Sequence, residues 1–314
     1  MKASLSITQA IDFYLSSRRP LGFALKSDET ILRSLARYAR QIHHQGVLTK
    51  DLILEWARLP KEVEPLWWAR RLLTAHRFAR FWHAFDPKVQ VPPAGIFGPA
   101  YRRGRAHIYS AKEIAGLLAA CESLTPIESL LPATFRTLLG LLACTGLRIS
   151  EALNLQTQDF DASAGTLLIR KSKGGQSRCV PLKTSAVAAL KDYQRLRHKH
   201  YPQLSTSAFF LTGKGRPLSY RKAGKIFRAL RMKLSWKRSA APRLHDLRHT
   251  FAVNRLITWQ RRSNQDVSRN ILALATYLGH RNIRHTYWYL SAVPELLVLA
   301  SKRLTHSQLK GGGR

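Results

Sequence analysis

The chain has 314 residues, 45% of them apolar, and carries 52 Lys and Arg against 18 Asp and Glu, a formal charge of 52 − 18 = +34 with a pI near 11.1. That length is more than one ordinary domain needs and suits two, and the apolar share excludes global disorder. So large an excess of one sign repels itself in a compact state and fits a polyanionic partner. An anionic membrane is disfavoured, because no long apolar run, signal peptide or basic amphipathic terminal helix stands in the sequence. The three cysteines, Cys121, Cys144 and Cys179, are odd in number and lack metal-ligand spacing. They are expected to be reduced, buried thiols of a cytosolic protein, with no zinc site.

Residues 1 to about 86 read as helical. Apolar positions recur at helical spacing over Ile7–Leu15, Thr30–Ile42, Leu52–Ala57 and Leu66–Phe85, with breaks at Arg19-Pro20-Leu21-Gly22 and Leu59-Pro60. Trp67, Trp68, Phe78, Phe81 and Trp82 are expected to be core. Residues 87–106 change character: Pro87, Pro92, Pro93 and Pro99 stiffen a connector, and Arg102, Arg103 and Arg105 could follow a phosphate backbone. This is the expected linker.

A second domain is expected over 107–304. Ser110 with Glu113 fits a capping box opening a helix to Cys121, and another helix is expected over Ile127–Thr145. Leu155–Leu182 alternates like strands, with Thr166–Arg170 and Arg178–Leu182 flanking a turn at Lys173-Gly174-Gly175-Gln176. Further helices are expected near Thr184–His198, Ser219–Leu234, His245–Trp259 and Val267–Leu278, followed by a frayed tail over 305–314. Between Tyr193 and His245 there is no acidic residue, while 14 Lys or Arg fall between Arg195 and Arg243. A solvated face interleaves both signs, so this stretch suits phosphate.

Three strings carry chemistry-bearing residues. Thr145-Gly146-Leu147-Arg148-Ile149-Ser150-Glu151 sets an arginine after a helix-stopping glycine, near the next helix N-terminus, where free N–H groups favour anions. Leu244-His245-Asp246-Leu247-Arg248-His249-Thr250-Phe251-Ala252 places His245 and Arg248 three apart, on one helical face. His249 points elsewhere and is expected to pack or hydrogen-bond. Leu278-Gly279-His280 ends a helix at glycine, and three tyrosines, Tyr277, Tyr287 and Tyr289, surround it. Arginine stays charged at any working pH and donates in a planar fork, which suits an oxyanion. A phenol, with pKa near 10, needs cations nearby to attack at neutral pH.

An Arg, a His-x-x-Arg, a Gly-His and a late Tyr, in that order, resemble the signature of the tyrosine recombinases, the family of Xer proteins and of phage and transposon integrases. The resemblance covers about Ser110 to Leu304. It implies a mainly α fold with a small antiparallel β-sheet: a helical N-terminal DNA-binding domain (1–86), then a mixed α/β catalytic domain. It makes Arg148 and Arg248 phosphate clamps, His245 a proton-handling and positioning residue, His280 a hydrogen-bond donor to phosphate and Tyr289 the nucleophile. Lys173, aligned on Val180-Pro181-Leu182, becomes the acid for the 5′-oxygen. One departure is the stretch from Trp259 to Asp266, which lengthens the Arg248–His280 connection relative to compact members.

The resemblance implies site-specific cleavage and rejoining of double-stranded DNA through a 3′-phosphotyrosyl intermediate and a Holliday junction, for integration, excision or transposition of a mobile element. No cofactor, metal or ATP is implied. A type IB topoisomerase and a catalytically inactive DNA-binding relative are the rival readings. The protein is expected in the cytoplasm at the nucleoid, a monomer when free and a tetramer on paired sites, with an accessory directionality factor as a further partner. Val293–Leu304 carries an apolar stripe, and the family donates such a last helix to a neighbouring protomer.

Overall fold

The computed structural model of the chain describes residues 5–59, 61–101, 106–170, 177–234, 236, 242–261, 267–280 and 282–292. Lys173, Arg102, Arg103, Arg105, most of the connection from Trp259 to Asp266 and the stripe over 293–304 lie outside them. The chain divides into two compact units, Met1–Gly104 and Arg105–Arg314.

The first unit is helical: α1 (Ile7–Arg18), α2 (Lys26–Gln41), α3 (Lys50–Arg58) and α4 (Pro65–His83). Three of the four starts have a local cause. Ser6 and Gln9 form a capping box on α1, Thr49 caps α3, and Pro65 opens α4, where its missing N–H costs nothing. The apolar faces meet in a core of Ile11, Leu32, Leu35, Ile53, Trp56 and Phe78. Of the aromatic cluster, Phe78 and Trp82 are buried, Trp68 and Phe81 half-buried, and Trp67 exposed. The proline-rich stretch packs partly on this unit: Val89 is buried, Gln90 N donates to Leu48 O (2.9 Å), and His76 Nδ1 lies 2.8 Å from Pro92 O.

The second unit runs α5 (Ala111–Ala120), α6 (Leu131–Thr145), α7 (Ile149–Leu153), β1 (Phe160–Asp161), β2 (Thr166–Ile169), β3 (Arg178–Pro181), α8 (Thr184–His200), α9 (Tyr220–Lys233), α10 (Leu244–Arg261), α11 (Val267–Leu278) and α12 (Arg284–Ala292). The three strands form one antiparallel sheet in the order β1-β2-β3, with Leu167 opposite Val180 and Ile169 opposite Arg178. Three expectations are corrected. The helix before Gly146 starts at Leu131, with Pro132 in its first turn, and not at Ile127. Among the described residues, the span Leu155–Leu182 is strand only over the three short segments. Cys121 alone is a buried thiol; Cys144 and Cys179 are free and exposed, the latter because strand alternation turns its neighbour Val180 inward.

Two contacts set the position of α10. Tyr109 N donates to Thr250 Oγ1 (2.9 Å), and Tyr109 Oη donates to Arg243 O (3.0 Å). Asp246, buried in the first turn, accepts from Arg243 N (2.8 Å) and Arg243 Nη2 (2.8 Å), which closes the helix start. On α9, Ala223, Phe227 and Leu230 face the core, while Arg221, Lys222, Lys225 and Arg228 are exposed.

Candidate active site

Two glycine helix stops build the site. Gly146 ends α6 at φ +64° and Gly279 ends α11 at φ +65°, a left-handed conformation that a side chain resists. At the first stop, Gly146 N donates to Leu142 O (3.0 Å), and the chain turns at once into α7, whose N-cap is Arg148. At the second, His280 N donates to Ala275 O (2.9 Å), which carries His280 round the end of α11. Carbonyls freed at these helix ends carry the negative pole of each helix.

Those carbonyls hold both arginines. Arg248 Nη1 donates to Gly146 O (2.8 Å) and Nη2 to Leu278 O (2.8 Å), while Arg148 Nη2 donates to Gly279 O (2.9 Å). Arg248 is only 2% exposed. Burial, then the charge of Arg148, pushes its pKa down to about 10, still well above neutrality. Arg148 reaches a second anchor, donating from Nη1 to Glu151 Oε1 (2.7 Å).

Glu151 and Arg178 were not legible as site residues. The buried Glu151 carboxylate accepts from Arg178 Nη1 (3.1 Å) and Nη2 (2.9 Å) and from Arg148 N (3.0 Å). Burial alone would raise its pKa, but the bonds from Arg178 and Arg148 outweigh it and hold the carboxyl below its ordinary range. Arg178 Nε also donates to Tyr277 O (2.8 Å), so β3 is tied both to α7 and to the end of α11. The sequence offered one faint signal, the i,i+3 spacing of Arg148 and Glu151.

Tyr289 lies on α12, 2% exposed, packed with Phe251, Val253, Leu274 and Leu278. Its hydroxyl is 3.0 Å from His249 Nδ1, and its ring stacks at 6.4 Å on that of His280. His280 Nδ1 is 2.7 Å from Thr286 Oγ1. His245 meets His249 edge to face at 4.7 Å. Protein atoms crowd the His245 ring although the residue as a whole is exposed; this desolvation, with Arg248 beside it, pushes its pKa down to about 4. Tyr287 is exposed, and Tyr277 stacks on Phe251 at 5.6 Å. Of the expected set, Arg148, His245, Arg248, His280 and Tyr289 share one neighbourhood, joined by His249. Lys173 falls in the β2–β3 connection, outside the described residues. The arrangement presents two anchored cations, the neutral imidazoles of His245 and His249 and a phenol, which suits attack on a phosphodiester.

A family model described as the phage integrase family matches residues 108–295. The chain is 38% identical over 304 residues to a Sinorhizobium fredii protein provisionally named integrase/recombinase y4rB, covering 94% of this chain and 96% of that one. Tyrosine recombinase XerD of Staphylococcus saprophyticus is 28% identical over 222 residues, 70% of each chain. Among solved structures, the Tn1549 transposon integrase in complex with transposon right end DNA matches with a TM-score of 0.64 at 16% identity, covering 96% of this chain and 100% of that one.

Proposed function

The chain belongs to the phage integrase family of tyrosine recombinases, and from there we propose that this site-specific recombinase cuts and rejoins DNA strands through a 3′-phosphotyrosyl bond at Tyr289 and a Holliday junction, integrating, excising or transposing a mobile element. The observation that carries this reading is the convergence of the two glycine-stopped helix ends and the start of α10 on Tyr289.

Arg148 and Arg248 clamp the non-bridging oxygens of the scissile phosphate, where charge develops in the transition state. Arg248 is held by carbonyls that orient it without a full neutralising charge, whereas Arg148 is held by the Gly279 carbonyl and by the Glu151 carboxylate. His280 Nδ1 lies 2.7 Å from the Thr286 hydroxyl; with that hydroxyl donating, the ring proton stands on Nε2, the form that donates to phosphate. His245 lines the same clamp, and Lys173 gives a proton to the departing 5′-oxygen. The helical domain (1–86) and the catalytic domain (107–304) grip duplex DNA through the linker 87–106. Four protomers assemble on paired sites by exchanging the Val293–Leu304 stripe. An apolar cavity of about 390 Å³, lined by Leu182, Ala186, Phe251, Trp259, Leu274 and Tyr277, is a surface such a helix can fill.

The test is capture of covalent protein–DNA adducts from denatured cells and sequencing of the attached ends. The wild-type chain should mark discrete positions and Tyr289→Phe none. Absence of wild-type adducts, or adducts persisting in Tyr289→Phe, overturns the reading.

A further inference from the structure

His249 has no part in the clamp, yet it touches the reacting atom. Its Nδ1 lies 3.0 Å from Tyr289 Oη, within the reach a general base requires. Its ring is fixed from three sides, by His245 at 4.7 Å, Trp288 at 5.4 Å and Tyr289 at 5.5 Å between centroids. We propose that His249 is the general base of strand cleavage, taking the proton of the Tyr289 hydroxyl as it attacks. The proposal rests on Tyr289 being the nucleophile, and it differs from the proton-handling role that family resemblance gives to His245.

The Oη–H bond of Tyr289 breaks and the proton passes to Nδ1, the other ring proton standing on Nε2. The phenolic oxygen forms a bond to phosphorus, the bond to the 5′-oxygen breaks, and that oxygen takes a proton from the acid assigned to Lys173. In religation the 5′-hydroxyl attacks phosphorus and returns its proton to the group assigned to Lys173, the bond from phosphorus to the phenolic oxygen breaks, and Tyr289 leaves with the proton returned from His249.

The groups facing His249 favour this use. From its own helix come His245, Asp246 and Arg248, from the segment before it Arg243, and from α12 Tyr289 with its stacked neighbour His280. In the free protein, burial and then His245 push the His249 pKa down to about 4, so the ring is neutral and able to accept. A DNA phosphate docked between Arg148 and Arg248 brings negative charge beside the ring and raises its affinity for a proton at the moment of transfer.

The experiment uses the full chain and a nicked duplex carrying a mapped cleavage position, with covalent adduct formation timed from pH 6.5 to 9.5. His249→Asn keeps a hydrogen-bonding group near the Nδ1 position but cannot take the proton. It should cleave about 10²–10⁴-fold more slowly than wild type at pH 7. The defect should shrink steadily towards parity as rising pH ionises Tyr289 without help. Taking the ratio to wild type cancels the titration of the other groups named above. His249→Ala is the second variant, judged by the same criterion, with non-covalent site binding reporting that each is folded. Wild-type-like cleavage at pH 7, or a defect that stays constant across the range, overturns the proposal. Failure of the wild-type chain to form any adduct instead overturns the role of Tyr289 itself.

Discussion

Glu151 is 7% exposed and holds Arg148 and Arg178 at once. Removing it leaves two guanidiniums short of their partner in a half-buried place, a loss of about 3–5 kcal/mol when one member of a buried pair is deleted. Glu151→Ala should therefore lower the unfolding free energy read from urea denaturation by that amount and weaken cleavage through a misplaced Arg148. Arg148→Ala should spare stability more and cleavage less, costing about 3–4 kcal/mol of barrier as other single transition-state donors do. Acid should act through the two histidines of α10. Both have pKa values near 4 when folded against an ordinary 6.5, so between pH 6.5 and 4 the unfolded chain binds more protons and stability falls as the pH is lowered. Thermal melting from pH 7.5 to 5 should show the decline, and His249→Asn should flatten it. At this scale the motif arginines, His245, His280 and Tyr289 were legible because their spacing is tied to helix stops. Glu151 with Arg178, and His249 with Tyr289, were not. Those pairs are 27 and 40 residues apart and meet only through the packing of β3 and α12.

Helix ends decide the element scale. A Cβ on Gly146 would stand 2.5 Å from Phe251 Cδ1 and 3.1 Å from Leu278 Cδ2, at a φ of +64°. Left-handed strain of about 1–2 kcal/mol joins an overpacking cost of about 1–3 kcal/mol. Gly146→Ala should lose roughly their sum in chemical denaturation, whereas Ser110→Ala, which removes the cap of α5, should lose about 1 kcal/mol. Amphipathic helices with clear caps could be read from the sequence within a few residues of their ends. The helix α12 could not, since His285, Thr286, Tyr287, Trp288 and Tyr289 are poor helix formers and the segment is helical through its contact with α10 and α11. The bounds of the short strand β1, inside the alternating span Leu155–Leu182, escaped for a related reason: two residues give alternation nothing to act on.

For the whole molecule, charge is the governing quantity. The exposed face of α9, with Arg221, Lys222, Lys225 and Arg228, is one described part of the acid-free stretch that presents cations to solvent. If these four neutralise phosphates, changing all of them to Ala should reduce the slope of log affinity against log salt by about 3–4, without altering site preference. An unchanged slope would place the contact elsewhere. Deletion of residues 292–314 should leave single-site binding but abolish cooperative assembly and strand exchange. Recombination by the truncated chain at the normal rate would remove the helix-exchange scheme. A division into two compact units could be expected from length, and net charge points to a polyanionic partner; how much of the proline-rich stretch packs on the first unit was not legible, because composition does not show what a connector touches.

The arginine anchors at Gly146, Leu278 and Gly279 have a consequence for engineering. The acceptors are main-chain oxygens, so no side-chain replacement can delete them. A library that varies Leu278 among apolar residues of similar size should retain cleavage throughout, while the two glycines resist change because of backbone angle and not hydrogen bonding. Diversification aimed at new target sites can therefore run close to the reaction centre, provided that the two turns are left alone.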